Sequence, residues 1–133
     1  MCQAGARVVQ QEVLEMLPDS TLRVYAVWEP ILRSDTEASA KRAPSLLPDP
    51  RVTHFWVASR DVGRMFQAPI ALKSEPAWDV YLVYPPGARW DDAVPVPVYY
   101  QHQLGGRLPK ELRLDGAVLA ARLQELLEPA PAR

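Results

Sequence analysis

The chemistry available to this chain centres on one thiol. Cys2 is the single cysteine of the 133-residue sequence. It stands at the head of MCQAGARVVQQEVLEML, where Cys2, Ala6, Val9, Val13 and Met16 recur at helical spacing. The first turn of a helix has unsatisfied N–H groups and a partial positive charge, and both favour thiolate over thiol. Arg7 either adds to that field or points away from it. A thiolate so placed attacks a disulfide or is oxidised to a sulfenic acid, and without a second cysteine it needs an external thiol to complete a cycle. The competing expectation is an idle thiol at a chain terminus. A lone cysteine excludes an internal disulfide.

Other side chains offer less. LRVYAVW (22–28) reads as a buried strand. Sites in open α/β sheets form at the carboxyl ends of such strands, which makes Trp28 and Glu29 candidate site residues. Glu29 would accept or relay a proton beside Cys2, although a carboxylate there also raises the thiol pKa. The alternative is a loop carboxylate in solvent. His54 and His102 lack acidic or cysteine partners at ligand spacing and are expected to be structural, and Asp91-Asp92 reads as a solvated turn. The sequence carries no metal site, phosphate loop or cofactor motif. Trp56, Trp78, Trp90, Tyr81, Tyr84, Tyr99 and Tyr100 either pack the core or, Trp90 above all, offer an exposed contact. A net charge of -1, with arginines spread along the chain, makes no case for nucleic acid or a charged membrane surface. No apolar run approaches the ~20 residues of a membrane helix. The start has no signal-peptide pattern, and a cytoplasmic protein is expected.

The elements that must position these groups can be read from periodicity and breakers. Hydrophobic content of 48% and charged content of 23% suit a single domain over 1–128, with a short tail at 129–133. The first helix should stop at Pro18. Next come a strand at 22–28, an Ala-rich helix opened by the Ser34–Glu37 capping pattern and disturbed at Pro44, and a strand at 52–57. A short helix with Val62, Met65 and Phe66 on one face precedes WDVYLVY (78–84), the clearest strand. VPVYYQHQL (96–104) is the next. Asp115 then caps a last helix whose Val118, Leu119, Leu123, Leu126 and Leu127 cover one face. Early alternation implies parallel strands with crossover helices, and the adjacent last strands imply an antiparallel hairpin.

VTHFWVASRDVGRMFQ resembles the inserted strand and short helix of the thioredoxin-like superfamily, in its extended thiol-disulfide oxidoreductase and peroxiredoxin-related branch. EPAWDVYLVYPPGARW resembles that branch's proline-led strand with a glycine turn. VPVYYQHQLGG with LDGAVLAARLQELL resembles its last strand, glycine and terminal helix. The resemblance covers nearly the whole chain. It implies an α/β, thioredoxin-like three-layer domain: a mixed sheet with parallel crossover strands, a C-terminal antiparallel hairpin and a terminal helix. It further implies a protein or small-molecule thiol or disulfide as partner, no cofactor, Cys2 as a motif thiol, and a substrate-binding segment at Glu75, Pro76 and Ala77. Pro76 is the candidate for the family's cis-proline, although counting back from Gly87 places that position nearer Trp78.

The chain also departs from the pattern. The family's two cysteines separated by two residues are not present. If Cys2 is the first of them, Gly5 occupies the resolving position. If it is the second, its partner would lie before Met1 and Cys2 would be the buried resolving thiol. The family's opening strand, interior to the sheet, is missing. Unpaired backbone groups, marginal stability, and dimerisation or strand exchange (a homodimer among the outcomes) are therefore expected. Besides the thiol-disulfide oxidoreductase, two other functions fit: a redox-inactive thioredoxin-fold module that binds a partner, and a single-thiol redox sensor using Cys2 alone.

Overall fold

The structure is a computed structural model and describes residues 3–129. The helix α1 (Gln3–Val8) continues as a π-helical segment (Val9–Leu14). Next come β1 (Val24–Trp28), α2 (Glu37–Arg42), β2 (Val52–Trp56), α3 (Asp61–Met65), β3 (Val80–Val83), β4 (Tyr99–His102) and α4 (Gly116–Leu127). β1 and β2 pair in parallel, with Val24 opposite Val52 and Trp28 opposite Trp56. β3 and β4 pair antiparallel, with Val80 opposite His102 and Val83 opposite Tyr99. The chain is thus α/β, with a parallel pair, an antiparallel pair and a C-terminal helix. Among the described residues the strands form separate two-stranded sheets, not the single mixed sheet expected.

Local signals account for most element ends. Asp115 caps α4 by accepting the Val118 N–H at 3.0 Å, and α4 stops before Pro129. The cap of α2 is Thr36, not Ser34: the Thr36 hydroxyl accepts the Ser39 N–H at 3.1 Å, and the Ser39 hydroxyl returns the bond from the Thr36 N–H at 2.8 Å. That reciprocal pair starts the helix later than Ser34–Glu37 would. The first helix departs from its expected stripe. The Glu15 N–H reaches the Gln10 carbonyl at 3.0 Å, an i→i−5 bond that widens the turn and shifts the phase of the residues after it. Ala6 and Val13 stay buried, Leu14 and Leu17 join them, and Met16 swings out to 69% exposure.

The core has three parts. Ala6, Leu14 and Leu47 pack with Val24, Ala26, Trp28 and Val52 under the parallel pair. Val13, Leu17, Val83 and Leu119 pack with Tyr81, Tyr99 and Leu123 between the hairpin and the helices. Ile70, Leu72, Ala77, Leu104 and Leu108 cover the hairpin's other face, with Val80 and Leu82. The first helix therefore touches both sheets. Gln101, almost fully buried, ties β4 to α4 by accepting the Asp115 N–H at 2.9 Å. Both histidines are structural. His54 takes the Trp28 indole N–H at 3.1 Å, and His102 takes the Leu104 N–H at 3.0 Å while its other nitrogen meets the Pro109 carbonyl at 2.7 Å. Among the described residues no helix is long and apolar enough to cross a membrane, and no cluster of His, Cys, Asp and Glu is arranged to hold a metal ion.

Arg51 clamps the end of the first helix to the start of β2. Its guanidinium donates to the carbonyls of Leu14 at 2.7 Å, Asp19 at 3.0 Å and Leu17, and pairs with Asp49 at 2.7 Å. Arg51 and Asp49 side chains are only 13% and 12% exposed. The hydrogen bond from Arg51 pulls the Asp49 carboxyl down to about 2. The unfolded value is about 3.9, so the folded state holds fewer protons in this window. The stabilisation is full above the unfolded value and vanishes as pH falls through the folded one. Denaturant melts should show stability falling over that acid window, and Asp49→Asn should flatten the fall. Arg51→Met, which strands a buried carboxylate and the helix-end carbonyls, should cost about 3 kcal/mol or more at neutral pH.

Candidate functional site

The expected site residues are partly brought together. Glu29 follows β1, Pro76 and Ala77 precede β3, and Gly63 of α3 joins them. The Gly63 N–H donates to a Glu29 carboxylate oxygen at 2.9 Å, and the Gly63 carbonyl accepts the Ala77 N–H at 2.8 Å. A Cβ at position 63 would lie 2.5 Å from the Ala77 carbonyl oxygen, 2.7 Å from the Glu29 carboxylate and 3.0 Å from the Pro76 ring. Only a glycine lets these three segments meet. Glu29 is half-buried there. Burial pushes its carboxyl above the ordinary value, and the N–H groups of Gly63 and Val62 work in the opposite direction.

The other expected residues lie elsewhere. Trp28 stacks on His54 at 6.2 Å between ring centres. Glu75 takes the Trp78 indole N–H at 3.2 Å and pairs with Arg107. All peptide bonds among the described residues are trans, including the one before Pro76. Cys2 lies outside the described residues. Asp91 and Asp92 are exposed, with Asp91 near Arg89 at 3.6 Å, and Trp90 packs edge-on against Phe66 at 5.4 Å.

A second polar group escaped the sequence reading. The Tyr81 hydroxyl donates to the Asp79 carboxylate, and the Gln103 amide donates to Asp79 at 3.0 Å and to the Tyr81 oxygen at 3.2 Å. Asp79 holds a left-handed backbone, φ 54°, a conformation that non-glycine residues adopt at a cost and that recurs at functional positions. The Tyr81 oxygen lies against Gly5 in the first turn of α1, in space that a Cβ would fill. A glycine inside a helix was the available signal, since it costs ~1 kcal/mol relative to alanine and implies a close neighbour. The neighbour itself was invisible. Residues 76–79 therefore have a half-buried carboxylate on the β1 side and an Asp–Tyr–Gln group on the α1 side. These groups offer two carboxylates, a hydroxyl and an amide as hydrogen-bond partners.

No protein-family model, curated protein or solved structure matches this chain.

Gly63→Ala should destabilise by about 1–3 kcal/mol, because the new methyl meets backbone that cannot swing away; thermal or denaturant melts read this directly. Glu29 works in the opposite pH direction to Asp49. Its folded value is raised, so its contribution is present below the unfolded value and is lost as pH rises through the folded one. Glu29→Gln should therefore gain stability relative to the parent as pH rises from acid to neutral.

Proposed function

We propose that this chain is a thioredoxin-like protein that carries out thiol-disulfide exchange in the cytoplasm. The convergence of Glu29, Pro76 and Ala77 on Gly63 carries the reading, because it joins the end of a parallel strand to the proline-led head of the hairpin. Support also comes from the element order: a first helix beginning at Gln3, a parallel pair, a hairpin and a closing helix. In the reaction the Cys2 thiolate attacks one sulfur of a partner disulfide. The partner's S–S bond breaks, a mixed disulfide forms, and the other sulfur leaves as thiolate. A second thiol then attacks the partner's sulfur in the mixed disulfide, forms a disulfide with it and releases Cys2 as thiolate. Cys2 being the single cysteine of the sequence, that thiol comes from a second protein or a small molecule. Ala77 and the segment beside it would hold the extended substrate strand.

A second reading is a redox-inactive module of the same fold that binds a partner. It is favoured by the exposed Tyr25, Val27 and Phe55 on the open face of the parallel pair, at 66%, 41% and 48%. Single-thiol sensing by Cys2 alone is the third.

The deciding measurement is the pH dependence of Cys2 alkylation by iodoacetamide, on folded and on unfolded chain. Exchange chemistry predicts a folded thiol pKa clearly below the free value of about 8.5. Coincident folded and unfolded curves would remove the redox reading and leave the binding module. A stable sulfenic acid at Cys2 after mild peroxide would favour the sensor.

A further inference from the structure

His102 has no surface exposed to solvent, and among the described residues no other ionisable side chain is so deeply buried. Both of its ring nitrogens are committed. Nδ1 accepts the Leu104 N–H at 3.0 Å, and Nε2 lies 2.7 Å from the Pro109 carbonyl. A carbonyl only accepts and a backbone N–H only donates, so these partners fix a neutral ring with its proton on Nε2. The ring thereby closes a loop over residues 102–109, held at Leu104 and again at Pro109. The backbone of the same residue anchors the returning chain. Its carbonyl accepts the Leu114 N–H at 2.9 Å, beside a parallel bridge to Arg113.

Nδ1 is the place left for a second proton, and the Leu104 N–H already occupies its lone pair. A proton there would set two donors face to face and strand the buried Leu104 amide without an acceptor. Across the ladder the ring's residue faces apolar Val80. The carboxylates of the adjoining elements are engaged elsewhere: Asp79 with Tyr81 and Gln103, Glu75 with Arg107, and Asp115 with the Val118 N–H. The charged residues of the chain between Leu104 and Leu114 are Arg107, Lys110, Glu111 and Arg113, so cations prevail there. A recess of about 400 Å³, lined by His102, Gln103, Gly105, Arg113 and Leu114, brings solvent to the same stretch.

We propose that His102 is an acid-released latch: the neutral ring holds the 102–109 loop closed on β4, and the protonated ring lets go of Leu104 and opens it. In the opened loop the ring titrates as a free histidine does, near 6.5. The closed loop has room for the neutral ring alone. Lowering the pH from about 7.5 to about 5.5 therefore favours the opened loop by about tenfold, and raising it again restores the latch. His54 has the same bonding, with Nδ1 accepting the Trp28 indole N–H and Nε2 3.2 Å from the Leu47 carbonyl. It is only half-buried, however, and bridges strands that their own ladder already joins. The latch uses no thiol and holds whichever reading of Cys2 is right.

The test is amide hydrogen exchange by NMR on the full chain at about pH 7.5 and about pH 5.5, each rate divided by that of the unfolded chain at the same pH. Leu104 protection should fall by about tenfold at the lower pH while far-UV circular dichroism keeps its folded spectrum. His102→Asn should abolish the pH effect, because an asparagine oxygen accepts the N–H two residues on and takes up no proton in this range. Unchanged Leu104 protection in the parent, an equal fall in the variant, or loss of the folded spectrum at the lower pH would each overturn the latch. Should the variant not fold, the ring-nitrogen chemical shifts of the parent decide. The latch requires Nδ1 to gain its proton as Leu104 loses protection, and a ring that takes the proton while Leu104 stays protected overturns it.

Discussion

The first helix lies across both strand pairs, and its apolar residues are the main tie between them. A two-stranded sheet is marginal by itself and needs further strands or a packed helix to persist. Among the described residues no backbone ladder joins the pairs, so the burial of Ala6 and Leu14 on one and Val13 and Leu17 on the other takes over that role. The π-helical turn makes this possible. By shifting phase after Val9, it lets consecutive residues Val13 and Leu14 both be buried and face different sheets. Arg51 then fixes the helix end by capping carbonyls that the helix leaves open.

Around residues 76–79 the structure accepts local costs to bring groups together. Gly63 gives up a side chain so that Glu29 and Ala77 can reach its backbone, and Asp79 adopts a left-handed conformation that lets its carboxylate meet Tyr81 and Gln103. The half-buried Glu29 is held against the desolvation that raises its carboxyl by donors from the start of α3. These are departures from the cheapest local choice, and they cluster in the segment that joins the end of β1 to the head of β3.

The parallel pair is open on the side away from the helix. Parallel strands are normally covered on both faces. Here the helix covers Val24, Ala26 and Trp28, while Tyr25 and Phe55 share the outer face, their rings 6.3 Å apart.

Apolar periodicity, β-branched runs and proline or glycine breakers determined where helices and strands form, and Asp115 announced its own cap, because these signals act within a few residues of chain. They also marked Glu29 as the end of a strand, whereas Pro76 and Ala77 stand out only through the family resemblance. The rest was decided in three dimensions. The π turn that moves Met16 outwards answers to two sheets competing for one helix, and Thr36 displaces Ser34 through a bond only Ser39 can return. Gly5 and Gly63 take their meaning from the Tyr81 hydroxyl and the Ala77 carbonyl, which occupy the missing side-chain space. Alternation and adjacency anticipated the parallel pair and the antiparallel hairpin, and what lay beyond the sequence was that the two pairs share no ladder among the described residues. An edge is defined by a neighbour from elsewhere in the chain, and periodicity shows which face of a strand is apolar without showing what lies beside it.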